Sequence, residues 1–152
     1  MTPAPPELKQ TAITPREWIP GYEILTVVGT GGFGTVVRAR QLKLDRVVAI
    51  KIVLGGARVT DEQRERFIRE AQAVARLVHP NVCRLYDVGH DHDLDYLVME
   101  FLEGETLASR MTRGPLPVEL ACDYLLQACE ALAEAHALGI IHRDLKPGNL
   151  FL

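Results

Sequence analysis

A lysine set in an apolar run, Val48-Ala49-Ile50-Lys51, follows closely on a glycine-rich stretch, Gly29-Thr30-Gly31-Gly32-Phe33-Gly34-Thr35-Val36. Together these residue types could bind phosphate. An ammonium group is costly to bury unless it is paired, and two anionic partners suit Lys51: the phosphates of a nucleotide and a carboxylate from the helix that follows. Glu70 is the best carboxylate candidate, because it falls between Phe67 and Val74 at the edge of an apolar stripe. The bland alternatives are that Lys51 snorkels at a sheet edge and that Glu70 pairs with Arg66 on the surface. Near the end, His142-Arg143-Asp144-Leu145-Lys146-Pro147-Gly148-Asn149 gathers an acid, two cations and a carboxamide in one short loop.

A G-x-G-x-x-G run alone is a weak signal, and its context decides the reading. In a dinucleotide-binding fold the glycines open a helix whose N-terminus holds a pyrophosphate. Here Gly34 leads into β-branched Thr35-Val36-Val37, so the glycines form a hairpin tip that can fold over phosphates without side chains intruding. A purely structural hairpin is the alternative.

Short β-branched runs at 22–28, 35–40 and 46–53 predict an antiparallel meander. Thr60, with Gln63 three residues on and Asp61 and Glu62 between, predicts a capped helix start. Phe67, Ala71, Val74 and Val78 give that helix one apolar stripe, and Pro80 closes it. Strands at 84–88 and 94–101 follow, joined by the polar turn 90–93. A short helical piece is predicted over 106–111. A longer helix starts near Pro117, with Val118, Ala121, Cys122, Leu125, Cys129, Leu132 and His136 on its inward face and Gly139 at its stop. Five of the nine prolines fall in the first twenty residues, so 1–20 reads as a tail or linker.

Composition excludes several classes. The chain has 152 residues, 47% hydrophobic and 24% charged, with a net charge of −3 and 6% aromatics, which offers no basic field and few stacking platforms for nucleic acid. Cys83, Cys122 and Cys129 lack a disulfide or C-x-x-C spacing and read as reduced thiols of a cytoplasmic segment, the latter two packed in a core. No run of about 18 apolar residues occurs, so no membrane contact is expected of this segment. His90, Asp91, His92, Asp93 and Asp95 could mimic a metal cluster, but charges in a hairpin turn are usually solvated. His136 reads as a packing residue.

Five pieces stand in one order: the glycine loop, Val48-Ala49-Ile50-Lys51, a helix glutamate, the strand Leu97-Val98-Met99-Glu100-Phe101, and the His-Arg-Asp loop. From about Tyr22 to Leu152 the chain resembles the eukaryotic-type serine/threonine protein kinases, in the form that bacteria carry. The resemblance implies an α+β, protein-kinase-like fold: a five-stranded antiparallel N-lobe sheet with one C-helix over 21–101, then a hinge and the first helices of a helical C-lobe over 102–152. It implies ATP and Mg2+ as ligands and Ser/Thr hydroxyls of proteins as acceptors. Asp144 would be the catalytic base, Asn149 a magnesium ligand and Lys146 a cation near the transferring phosphoryl group. Lysine two positions after the aspartate resembles the serine/threonine branch. Val28, Val36 and Ala49 would wall the adenine, Met99 would guard the back of its pocket, and Glu100 and Leu102 would meet it through their backbones. Thr106 lies where a ribose contact would be, and His142 would fix the loop's backbone.

Such domains carry an Asp-Phe-Gly motif and further helices after the asparagine, and neither occurs in these 152 residues. The expectation is a front portion of a kinase that has negligible activity alone, with the apolar face of its last helix uncovered. Non-catalytic nucleotide binding and partner binding through that helix face are the competing functions.

Overall fold

In a computed structural model the described residues are 19–31, 34–53, 60–91 and 94–152. Five strands, β1 (Tyr22–Gly31), β2 (Gly34–Gln41), β3 (Arg46–Val53), β4 (Leu85–Asp91) and β5 (Leu94–Glu100), form one antiparallel sheet in the order β1-β2-β3-β5-β4. Successive strands pair as hairpins except where helix α1 (Asp61–Ala75) is inserted between β3 and β4, so that β3 pairs with β5.

Alternation along the strands divides the sheet into two unlike faces. Val37, Ala39, Val48, Ile50, Ile52 and Val98 are all at most 2% exposed and pack with Tyr22, Ile24 and Ile19 into the core. Full burial of each large aliphatic side chain here contributes roughly 1.5–3 kcal/mol. Ile19 is 1% exposed and its carbonyl accepts from the Tyr22 N–H at 3.1 Å, so the packed N-lobe begins two residues ahead of the boundary expected at 21. The opposite face carries Val36, Ala49, Lys51, Leu97 and Met99, all half-buried.

The capping box on α1 is formed in both directions: the Thr60 hydroxyl accepts from the Gln63 N–H, and Gln63 Oε1 accepts from the Thr60 N–H at 3.0 Å. The helix ends at Ala75, before Pro80, and Val78 is 64% exposed rather than part of the stripe. The side of α1 that is at least half-buried reads Arg64, Phe67, Ile68, Ala71 and Val74, so the stripe starts with a charged residue.

Helix α2 (Leu107–Met111) is capped by the Thr106 hydroxyl, and α3 (Val118–Ala137) ends in a left-handed stop. Gly139 has φ +74°, its N–H donates to His136 O and the Ile140 N–H to Ala135 O, each at 2.9 Å. That is the paired-bond stop that glycine makes without a Cβ penalty. Only Ala131 and Ala135 of α3 are buried, whereas Val118, Leu125, Cys122, Cys129 and His136 are exposed. The stripe expected to face inward is therefore largely open, with only Ala121 and Leu132 of it half-buried, and the core role expected for the two cysteines is corrected. After the 3-10 turn Pro147–Asn149 the chain turns back toward the residues ahead of α2. It runs antiparallel to 105–107 through Leu107 N–H to Leu150 O at 2.7 Å and Leu152 N–H to Glu105 O at 2.9 Å.

Candidate active site

The glycines bend a hairpin and do not cap a helix. β1 and β2 pair through Gly29 with Val36, Thr30 with Thr35 and Gly31 with Gly34; Gly32 and Phe33 lie outside the described residues. Gly34 is required by both space and dihedral: its φ is +122°, and a Cβ built there would run into the Ile52 carbonyl. Val28 lies at the irregularity between Val27 and Gly29 and is 56% exposed.

Register brings Val36 opposite Lys51, Lys51 opposite Leu97, and Ala49 opposite Met99. Directly opposed residues share a face, so the lysine, two of the three expected adenine walls and the residue expected at the back of the pocket stand side by side, away from the core. Where β5 ends, the Glu100 N–H donates to Arg84 O at 2.8 Å, and its carbonyl accepts a long contact of 3.6 Å from the Cys83 thiol. Burial first, then the Glu100 charge, pushes the Cys83 pKa up, so this thiol stays protonated and donates. Leu102 follows, half-buried. Arg38, on the same face, lays its guanidinium 5.2 Å from the Phe101 ring centre, a cation–π contact the sequence reading missed.

The expected pair between Lys51 and Glu70 is not made. Glu70 Oε1 accepts from Arg66 Nε at 2.9 Å with both side chains largely exposed, and no ion pair to Lys51 forms among the described residues. The reason is local: an i,i+4 partner on one helix needs no second element to approach. The Arg66 hydrogen bond and charge, with a smaller contribution from Arg143, hold the Glu70 carboxyl below its usual range. Arg143 thus lies within electrostatic reach of α1, and a hydrogen bond of 2.9 Å from Asn81 to Gln127 ties the segment before β4 to α3.

The loop after α3 is preorganised. Arg143 has φ +63°, a left-handed conformation that turns the chain, and the Asp144 N–H donates to His142 Nδ1 at 3.3 Å, so His142 braces the loop. Lys146 Nζ stands 2.8 Å from Asp144 Oδ2. Asn149 Nδ2 donates to the Asp144 carbonyl at 2.7 Å and to Oδ2 at 3.2 Å. The Lys146 hydrogen bond chiefly, with that from Asn149, keeps the Asp144 carboxyl below its ordinary value. An exposed, ionised carboxylate with a cation and a carboxamide fixed beside it can accept a proton from an approaching hydroxyl.

The β4–β5 hairpin departs from expectation. Asp95 is 6% exposed and not solvated; its Oδ1 lies 2.8 Å from His90 Nδ1 and 3.4 Å from Arg64 Nε of α1. His92 and Asp93 lie outside the described residues, and among the described residues no group of three or more His, Cys, Asp or Glu side chains could hold a metal. No helix among them is long and apolar enough to cross a membrane. An apolar cavity of about 590 Å³ between α2 and α3, lined by Leu107, Met111, Tyr124, Leu125 and Leu150, contains none of the expected site residues.

Residues 22–152 match the protein kinase domain family. The serine/threonine-protein kinase PrkC of Bacillus subtilis is 43% identical over 132 residues, covering 86% of this chain and 20% of that protein. Serine/threonine-protein kinase pkn2 of Myxococcus xanthus is 44% identical over 131 residues, 86% of this chain and 16% of that protein. PknB of Mycobacterium leprae is 38% identical over 144 residues, 91% of this chain and 23% of its own length. The chain thus spans at most about a quarter of these relatives. In three dimensions it is similar to the crystal structure of the Mycobacterium tuberculosis PknI kinase domain, with a TM-score of 0.82, 27% identity, and coverage of 93% of this chain and 59% of that one.

Proposed function

The chain belongs to the protein kinase domain family, and from that premise we propose that the protein transfers the γ-phosphoryl group of ATP to Ser or Thr hydroxyls of other proteins. One observation carries the reading: Asp144 is held ionised between Lys146 and Asn149 in a loop whose bonds are already made. In the step, the acceptor oxygen bonds to the γ-phosphorus, the bond to the β–γ bridging oxygen breaks, the hydroxyl proton passes to Asp144, and ADP leaves. Lys146 and Lys51 offset the negative charge of the transferring group. Gly29, Thr30, Gly31, Gly32, Phe33 and Gly34 cover the phosphates. Val28, Val36, Ala49 and Met99 enclose the adenine, which Glu100 and Leu102 meet through their backbones; the weak Cys83 contact leaves the Glu100 carbonyl available.

The donor set fits a magnesium ion. Asn149 spends its Nδ2 on Asp144, which leaves the oxygen of its amide, the hard ligand that Mg2+ takes in combination with phosphate oxygens. Bound there, the ion would neutralise charge on the nucleotide phosphates. The free thiols and the need for ATP support a cytoplasmic location for this segment.

Labelled ATP with a Ser/Thr protein acceptor tests the proposal on the whole protein. Transfer that is lost in Asp144→Asn is the expected result, and transfer undiminished in that variant contradicts it. A second reading, nucleotide binding without chemistry, is favoured by the Glu70–Arg66 pair; ATP binding with no transfer by the whole protein would select it.

A further inference from the structure

We propose that Asp95 is a positioning residue: it clamps Arg64 of α1 so that Glu70, on leaving Arg66, comes into register with Lys51. This deepens the phosphoryl-transfer reading and rests on it.

A charged residue stands in an otherwise apolar place on α1. Arg64 heads the inward stripe of α1, and the carboxylate it meets, Asp95, is 6% exposed and also holds His90. Asp95 stands opposite Val53 on β3, and Lys51 stands opposite Leu97 on β5. Lys51 and Val53 are two apart, as are Leu97 and Asp95, so the buried carboxylate and the lysine share one sheet face, and α1, packed against β4, reaches that face through Arg64. Across a strand pair such diagonal neighbours are about 7–8 Å apart. On α1, Arg64 and Glu70 are six residues apart, a rise of about 9 Å at 1.5 Å per residue. The axial spacings match, while six residues at about 100° each turn Glu70 roughly 120° around the helix from Arg64, so Glu70 would approach Lys51 from the flank of α1. A helix pinned by Arg64 on Asp95 therefore carries Glu70 to the level of Lys51.

The bond at the pin is only partly made. Arg64 Nε is buried and lies 3.4 Å from Asp95 Oδ1, within ion-pair distance but off hydrogen-bond geometry, and no other hydrogen bond satisfies it. In the same arrangement Lys51 makes no ion pair among the described residues and Glu70 sits on Arg66. A shift of α1 toward the sheet would shorten the buried contact at the helix start, and Glu70 would then have to leave Arg66 to meet Lys51. His90 Nδ1 meets the same oxygen, Oδ1, at 2.8 Å and fixes the carboxylate as the stationary half of the pin.

The test is a double-mutant cycle on Mg·ATP affinity with Asp95→Asn, Glu70→Gln and the combination. Asp95→Asn is expected to weaken Mg·ATP binding about fivefold or more in the native background and by less than about twofold in the Glu70→Gln background. Equal losses in both backgrounds, or none in either, would overturn the proposal. The pair Arg64→Met with Asp95→Leu guards against a simple folding defect, because an apolar replacement of a buried ion pair can keep the fold stable. That variant is expected to melt near the native temperature and still bind Mg·ATP weakly; native affinity in it would also overturn the proposal. No Mg·ATP binding by the native protein would remove the phosphoryl-transfer reading and this one with it, whereas native binding with additive losses removes this one alone.

Discussion

The loop 142–149 and the Lys51 face of the sheet are built on opposite terms. In the loop, every contact that prepares Asp144 comes from within eight residues, and each is made. On the sheet, the contact that would orient Lys51 must come from another element, and Glu70 is instead held by its own helix. Short-range sequence fixes a constellation before anything binds. A pair between two elements stays open to whatever moves one of them, which is where control of a phosphoryl-transfer site is most easily exerted.

Breaking the loop should have the largest effect. Asp144→Asn keeps the shape but removes the proton acceptor, and transfer by the whole protein should fall by about 10²–10⁴-fold in a labelled-ATP assay. Lys51→Met should come next: the thermal stabilisation given by Mg·ATP should largely vanish, while the melting temperature without nucleotide changes little. Gly34→Ala should lower stability by roughly 1–3 kcal/mol, visible as a lower melting temperature, because its left-handed φ and the Ile52 carbonyl both oppose a side chain.

Two smaller effects sharpen the comparison. Asp144 is held below its unfolded value by Lys146, so its contribution to stability is present above the unfolded carboxylate pKa and is lost as pH falls through the folded one. A carbon-13 titration should place its midpoint under the ordinary aspartate value, and Lys146→Met should move it up. Arg66→Gln should scarcely alter melting, since the Glu70 pair is exposed, yet it should tighten Mg·ATP binding by freeing Glu70; weaker binding would show that Arg66 assists rather than competes.

What the sequence made legible was whatever depends on neighbours along the chain. The span of β3, Arg46–Val53, follows from its β-branched residues, the Thr60 and Gln63 box from their spacing, and the Gly139 stop from the need for a left-handed residue. The face shared by Val36, Ala49, Lys51 and Met99 follows from strand alternation once the pairing is known. Contacts between elements were harder to read. Ile19 looked like part of a proline-rich tail because its partners, Tyr22 and Ile24 among them, are brought to it only by the folded sheet. Asp95 looked like one more charge in a polar turn; the available signal was Arg64, three residues before Phe67 and four before Ile68, which put a cation on the buried side of α1. The choice of Glu70 between Lys51 and Arg66 depends on where α1 lies, and no spacing encodes that. The open face of α3 was legible as an apolar stripe, but a stripe does not say what covers it.

One measurement asks directly whether the two regions serve a single nucleotide. With Mn2+ replacing Mg2+, bound Mn·ATP broadens the amide resonances near the metal. Simultaneous, saturable broadening at Val36 and Ala49 on the sheet and at Asp144 and Asn149 in the loop is the result this account expects. Broadening confined to one of the two sets at saturation would contradict it.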